Sequence, residues 1–148
     1  TRIENPRQVR AYEYPDRYGI QSPSFARAAH VRSADGFRSL FVSGTASIIG
    51  HETVHAGNVE MQARTTLENI AELVSQENLR RHGIAAEITL RDLDSVKVYL
   101  KHPRDVDTVQ RVCASVFGSG AEILYAIADV CRKELLVEIE GFVALPGH

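Results

Sequence analysis

Cysteine is scarce in this chain. Cys113 and Cys131 are the only two among 148 residues, and they lack C-x-x-C spacing. That excludes a disulfide framework and points to two reduced thiols in a cytosolic, that is cytoplasmic, protein. An excess of one charge is missing too. A formal net charge of −2 gives no electrostatic pull toward nucleic acid or an anionic membrane, so neither is expected as a partner. No apolar run approaches the roughly 20 residues that span a bilayer. Nothing at the start reads as a signal peptide, and there is neither an internal repeat nor a low-complexity tract. The chain opens on Thr1 rather than Met, which fits a trimmed chain or a piece of a longer one.

What remains is an average globular composition, 44% apolar and 24% charged. The length suits one domain with a real core, taken here as 1–148.

Three of the five prolines (Pro6, Pro15, Pro23) and three of the five tyrosines (Tyr12, Tyr14, Tyr18) fall in the first 24 residues. The pattern predicts a short strand over Gln8–Tyr14, then an ordered loop from Tyr18-Gly19 to Pro23. That aromatic, arginine-containing loop either lines a site or packs on the core as a surface arm. Strands are predicted at Phe25–Arg32 and Ser39–Thr45, around a turn at Asp35-Gly36. Asn58 and Glu60 open a helix. Its apolar positions Val59, Ala63, Leu67, Ile70 and Val74 carry it to Arg81, before the stop at His82-Gly83. A strand follows at Ser95–Lys101, with Val96, Val98 and Leu100 on one face. A second helix, capped by Asp105, uses Val106, Val109, Cys113, Val116 and Phe117. Gly118-Ser119-Gly120 reads as its stop and is too short for a phosphate cradle. Two last strands, Ile123–Cys131 and Leu135–Leu145, are joined by a tight turn at Arg132-Lys133. The order β-β-β-α-β-α-β-β implies a two-layer α+β domain with both helices on one sheet face. The other face then needs cover from a further subunit or domain.

Three chemical signals stand out. His51-Glu52-Thr53-Val54-His55 fits H-E-x-x-H, which binds zinc when a helix sets both histidines on one face. Here Gly50 and Gly57 flank the motif and the helix cap comes only at Asn58, so it is expected in a loop, without metal. Glu138 and Glu140 lie two apart and share one strand face, with Val137 and Ile139 on the other. Two such carboxyls disfavour each other's ionisation, and partial burial adds to this, which is how a carboxyl is kept as a general acid. A solvated polar face gives the same spacing. Cys131 precedes Arg132-Lys133, whose charge is expected to lower its thiol pKa; Cys113 reads as core.

Val42-Ser43-Gly44-Thr45, Gln62 with Asn69, Val96-Lys97-Val98-Tyr99-Leu100 and Val137-Glu138-Ile139-Glu140 together resemble the RidA/YjgF superfamily. That resemblance implies a chorismate-mutase-like two-layer domain, assembled as a trimer with pockets between subunits. The arginine used by its imine and enamine deaminases is absent from Gly120-Ala121-Glu122-Ile123-Leu124-Tyr125. More of the chain resembles the C-terminal half of the chorismatases, which include 3-hydroxybenzoate synthases and chorismate hydrolases. The matching stretches are Ile3–Gln8, Tyr18-Gly19, Ser22–Arg27, Ser43-Gly44-Thr45-Ala46-Ser47-Ile48 and Gly50-His51. Chorismatases are about twice this length, which implies either a fragment or a stand-alone relative, as a homotrimer or packed against the additional N-terminal half.

The chorismatase resemblance implies a small-molecule substrate, chorismate or a related carboxylate, and no cofactor. Glu138 would protonate the enolpyruvyl ether so that pyruvate leaves, and Cys131 would steer the product toward 3-hydroxybenzoate. Arg27 and Tyr18 would hold the substrate, with Ser43, Gly44, Thr45 and Ala46 lining its pocket opposite Glu138. An imine or enamine deaminase and a non-catalytic trimer binding small acids are the other two readings.

Overall fold

A computed structural model of the protein describes residues 1–146. Its main sheet has six strands, β1 (Arg2–Ile3), β2 (Ala28–Arg32), β3 (Arg38–Thr45), β6 (Ser95–Leu100), β7 (Glu122–Ile127) and β8 (Val137–Leu145). Their order across the sheet is β1-β2-β3-β8-β6-β7. A separate two-stranded hairpin, β4 (Ile48–Ile49) and β5 (Glu52–Thr53), follows β3. The helices are α1 (Val59–Val74), α2 (Gln76–Arg81) and α3 (Val106–Ala114).

The helical layer forms for the reasons the spacing gave. Asn58 accepts a hydrogen bond from the Met61 N–H at 3.0 Å and caps α1, a contact worth about 1 kcal/mol. Ala63, Leu67, Ile70 and Val74 are buried, as are Val109 and Cys113 of α3. They pack on Val96, Val98 and Leu100 of β6 and on Val137 and Ile139 of β8 in one core. Each buried Val, Leu or Ile among them contributes about 1.5–3 kcal/mol by leaving water. No helix of the described residues is long and apolar enough to cross a membrane.

Four local expectations are corrected. Gln8–Tyr14 is not a strand. It makes a single bridge, Gln8 to Gly50, and then a 3-10 turn at Ala11–Glu13. The edge strand is β1, paired antiparallel with β2. Ala11 and Tyr14 are buried, so the segment is a packed arm.

The long helix is interrupted. Ser75 adopts φ −56°, ψ 146°, and its hydroxyl accepts from the Asn78 N–H to start α2. Asn78 donates in turn to the Leu73 carbonyl at 2.8 Å, so neither helix end is left bare.

Asp105 makes no side-chain cap; a 3-10 turn at Pro103–Asp105 leads into α3, which stops at Ala114.

The last two strands are not a hairpin. β7 lies at the sheet edge, parallel to β6, whereas β8 runs antiparallel between β3 and β6. The connection after Ile127 crosses β6 to reach it. Leu135 pins this crossover by packing with Ala46 and Ile48.

The helix-free sheet face carries Phe41 and Phe142, register partners whose ring centroids lie 5.0 Å apart. Phe41, Val31 and Leu124 are exposed there. This is the face expected to need cover.

Candidate active site

The site residues gather on that open face, where β3 and β8 meet. Alternation along β8 buries Val137 and Ile139 and turns Glu138 and Glu140 the other way. Opposite them β3 bulges. Val42 pairs with Gly141 and Thr45 with Ile139, so Ser43 and Gly44 together oppose Glu140 alone. The bulge is held from within. Ser43 Oγ donates to the Ala26 carbonyl at 2.8 Å, its N–H donates to the Arg27 carbonyl, and Thr45 Oγ1 donates to the Ser43 carbonyl at 2.9 Å. Both hydroxyls are therefore engaged by the main chain. Ser43 is half-buried and Thr45 buried.

The Glu138 side chain lies over Gly44, with no room there for a side chain. Desolvation pushes its carboxyl above the usual glutamate range, and Glu140 adds to the shift. Glu140 accepts a hydrogen bond from the Tyr99 hydroxyl at 2.8 Å and lies 3.6 Å from Lys97 Nζ. A cavity of about 430 Å³ opens beside them, lined by Phe41, Ser43, Lys97, Glu140 and Phe142 among others. Ser43 thus reaches a cavity, while Glu138 is not among its lining residues.

Cys131 stands in the crossover close enough to Glu138 for their charges to interact. The thiol is pushed up, not down. Desolvation comes first and the Glu138 charge second, and both outweigh Arg132 and Arg27. The residue as a whole is exposed, yet its surroundings still disfavour the thiolate. The expected lowering by the basic turn is therefore reversed, because the neighbours in space count for more than those in sequence. Cys113 is buried as expected, with its thiol pushed up to about 11.

Arg27 is buried. Its Nη2 donates to the Val9 carbonyl at 2.8 Å and to the Tyr14 hydroxyl at 2.6 Å, while Nε is buried without a partner. Among the described residues no carboxylate forms an ion pair with it. A buried guanidinium left so can serve an anionic ligand.

Tyr18 packs against Tyr14, the partner of Arg27, with ring centroids 5.8 Å apart. Its hydroxyl meets Arg17, His51 and Glu52 at 2.9, 3.3 and 3.4 Å, so it belongs to a network around the β4–β5 hairpin. Ala46 is buried beside Ile48 and Leu135.

The H-E-x-x-H residues occupy this hairpin and the loop after it. Gly50, His55 and Gly57 all have positive φ, so the helix geometry a zinc protease needs does not form. Among the described residues no group of three or more His, Cys, Asp or Glu side chains is placed so that it could hold a metal ion.

Two participants escaped the sequence reading. Tyr99 was grouped only with its strand, because its link to Glu140 depends on the register of a strand some 40 positions away. Arg132 was read as a turn residue. Its guanidinium lies 3.8 Å from the Tyr18 ring centroid and 5.2 Å from that of Tyr14. It also donates to the His51 carbonyl and to Thr53 Oγ1, which ties the crossover to the aromatic arm and the hairpin. The aromatic, arginine-containing character of the early loop was the one signal pointing this way.

No family model matches the chain. Its architecture is that of the RidA/YjgF-like proteins. RidA from an Antarctic Psychrobacter superposes with a TM-score of 0.65 at 17% identity, over 97% of this chain and 98% of that one. The particular relationship is narrower. A 3-hydroxybenzoate synthase of Streptomyces hygroscopicus is 51% identical over 144 residues, covering 95% of this chain and 42% of that protein. A chorismatase of the same organism is 47% identical over 142 residues, covering 96% and 41%. A crystal structure of a chorismatase superposes with a TM-score of 0.93 at 46% identity, over 97% of this chain and 43% of that one. The chain is thus a homologue of the chorismatases and 3-hydroxybenzoate synthases over nearly its whole length. It spans about two fifths of the length of these curated relatives.

Proposed function

We propose that the chain carries the acid-catalytic part of a chorismatase-type enzyme that releases pyruvate from chorismate. The carrying observation is Glu138. Its carboxyl is held above the ordinary range by burial and Glu140, beside Gly44 and Cys131. The homology to chorismatases supports chorismate as the substrate in this reading.

The chemistry follows from the acid. Glu138 gives its proton to the methylene carbon of the enol ether, and an oxygen lone pair completes an oxocarbenium ion. If water adds, the hemiketal collapses to pyruvate and a dihydrodiol. If no water is consumed overall, chorismate divides into pyruvate and 3-hydroxybenzoate, whose atoms together equal those of the substrate. Cys131 next to the acid favours the second course in this reading. Arg27 receives one of the two carboxylates. The apolar open face is covered by further copies in a homotrimer or by the additional part that the longer relatives possess, in a cytoplasmic enzyme.

Incubation of the protein with chorismate, followed for pyruvate and for aromatic product, tests this directly. Pyruvate and 3-hydroxybenzoate are expected, and both are lost in Glu138→Gln. No pyruvate above background from folded protein, at any assembly state found by sedimentation, overturns the proposal.

A further inference from the structure

The two carboxyls on β8 are not supported equally. Register sets Tyr99 of β6 opposite Glu138, and Lys97 opposite Glu140. Tyr99 does not bond to the residue it faces. Its hydroxyl reaches along the strand and donates to Glu140 Oε1 at 2.8 Å. Lys97 Nζ stands 3.6 Å from the same oxygen. The donor and the cation therefore both fall on Glu140. Glu138 has no hydrogen-bond or ion-pair partner among the described residues. The other groups around it are the Cys131 thiol, with Arg132 and Arg27 beyond that thiol, and Gly44 of β3, which brings no charge.

A donor and a cation stabilise the carboxylate they touch, and that negative charge then opposes ionisation of a second carboxyl on the same face. We propose that Tyr99 and Lys97 are positioning residues that engage Glu140, leave Glu138 without a donor or a cation, and so keep the acid proton on Glu138. The inference rests on the chorismatase-type reading for its purpose, since Glu138 is the proton donor there. The location of the proton is a separate fact and can be measured without turnover. The Tyr99 phenol, itself pushed up by the bond to Glu140, remains a donor across the working range.

Protein carrying ¹³C at its glutamate carboxyl carbons, titrated by NMR, tests it. In the wild type the last proton of the pair leaves from Glu138 in a single step. In Tyr99→Phe the proton spreads onto Glu140. The ratio of protonated Glu138 to protonated Glu140 falls by about tenfold, the equivalent of one charge-assisted hydrogen bond, and the Glu138 curve becomes two-step. Lys97→Met moves the ratio the same way but only about two- to threefold, because that lysine is exposed. Lys97 is a surface side chain, so its variant keeps the test alive if Tyr99→Phe fails to fold. With chorismate, Tyr99→Phe lowers kcat and leaves KM unchanged.

An unchanged ratio in the folded variants overturns the inference, as does a wild type whose last proton sits on Glu140. Shifted ratios without pyruvate release would sink the proposed function alone. Pyruvate release with unshifted ratios would sink this inference alone.

Discussion

Gly44 and Glu138 share one volume. A Cβ at position 44 would sit 2.9 Å from Glu138 Cδ and nearer still to Oε1. The main chain at Gly44 has no positive φ, so the requirement is for space rather than conformation. Gly44→Val is compatible with a strand and should fold, while forcing the carboxyl away. Turnover of chorismate is expected to fall at least about tenfold through misplacement of the acid. Unaltered pyruvate release from a folded Gly44→Val protein would show that Glu138 need not lie where it does.

The raised Glu138 carboxyl also acts on stability. The folded chain retains a proton that the unfolded chain releases between the ordinary glutamate value and the raised one. Stability therefore falls as pH rises through that window, and the loss persists above it. Glu138→Gln cannot ionise and escapes the loss. Its Tm at pH 7 should exceed the wild type's. The difference should vanish below roughly pH 4, where the glutamate is protonated in both states. Scanning calorimetry of both proteins across pH checks the sign.

The two thiols should separate cleanly under alkylation. Cys131 is exposed but carries a thiol pushed up by its surroundings, so iodoacetamide should modify it slowly at pH 7 and faster as pH rises. Cys113 is buried and should react only on unfolding. Intact mass measured over time at several pH values reads both. Removing the carboxyl in Glu138→Gln should raise the Cys131 rate at those pH values where Glu138 has lost its proton.

Gln62 offers a test of the scaffold. It is fully buried on α1, donates to the His55 and Glu134 carbonyls at 3.2 and 2.7 Å, and accepts from the Leu136 N–H at 2.8 Å. It thereby holds the crossover just before Glu138. Gln62→Leu leaves the Glu134 carbonyl and the Leu136 N–H without partners, while the His55 carbonyl keeps the Asn58 N–H at 3.1 Å, and should cost about 3 kcal/mol, roughly 10 °C in Tm. Thermal unfolding measures the loss.

What could be read in the chain differed by the range of the interaction. The α1 cap at Asn58 and the apolar stripe behind it are local, and the helix forms as its spacing requires. The shared face of Glu138 and Glu140 follows from the two-residue period of a strand. The break at Ser75 was hidden because serine is tolerated within helices, and only Asn78, Leu73 and Glu4 together make the interruption stable. The strand expected at Gln8–Tyr14 was lost to burial of Ala11 and Tyr14, which an alternating pattern does not encode. Tyr99 and Arg132 find partners about 40 and 80 residues away in sequence, and no short window contains those pairings. The direction of the Cys131 shift failed for the same reason, since Glu138 adjoins it in space.

The position of β8 has a consequence for how the protein is made. It is the latest strand in chain order among the described residues, yet it fills the centre of the sheet between β3 and β6. Until it inserts, those two strands face each other with empty hydrogen-bonding edges, a condition that invites pairing with other chains. The same insertion brings Glu138 onto Gly44. A half-assembled molecule therefore holds no acid site to misfire, and formation of that site reports that the sheet has closed.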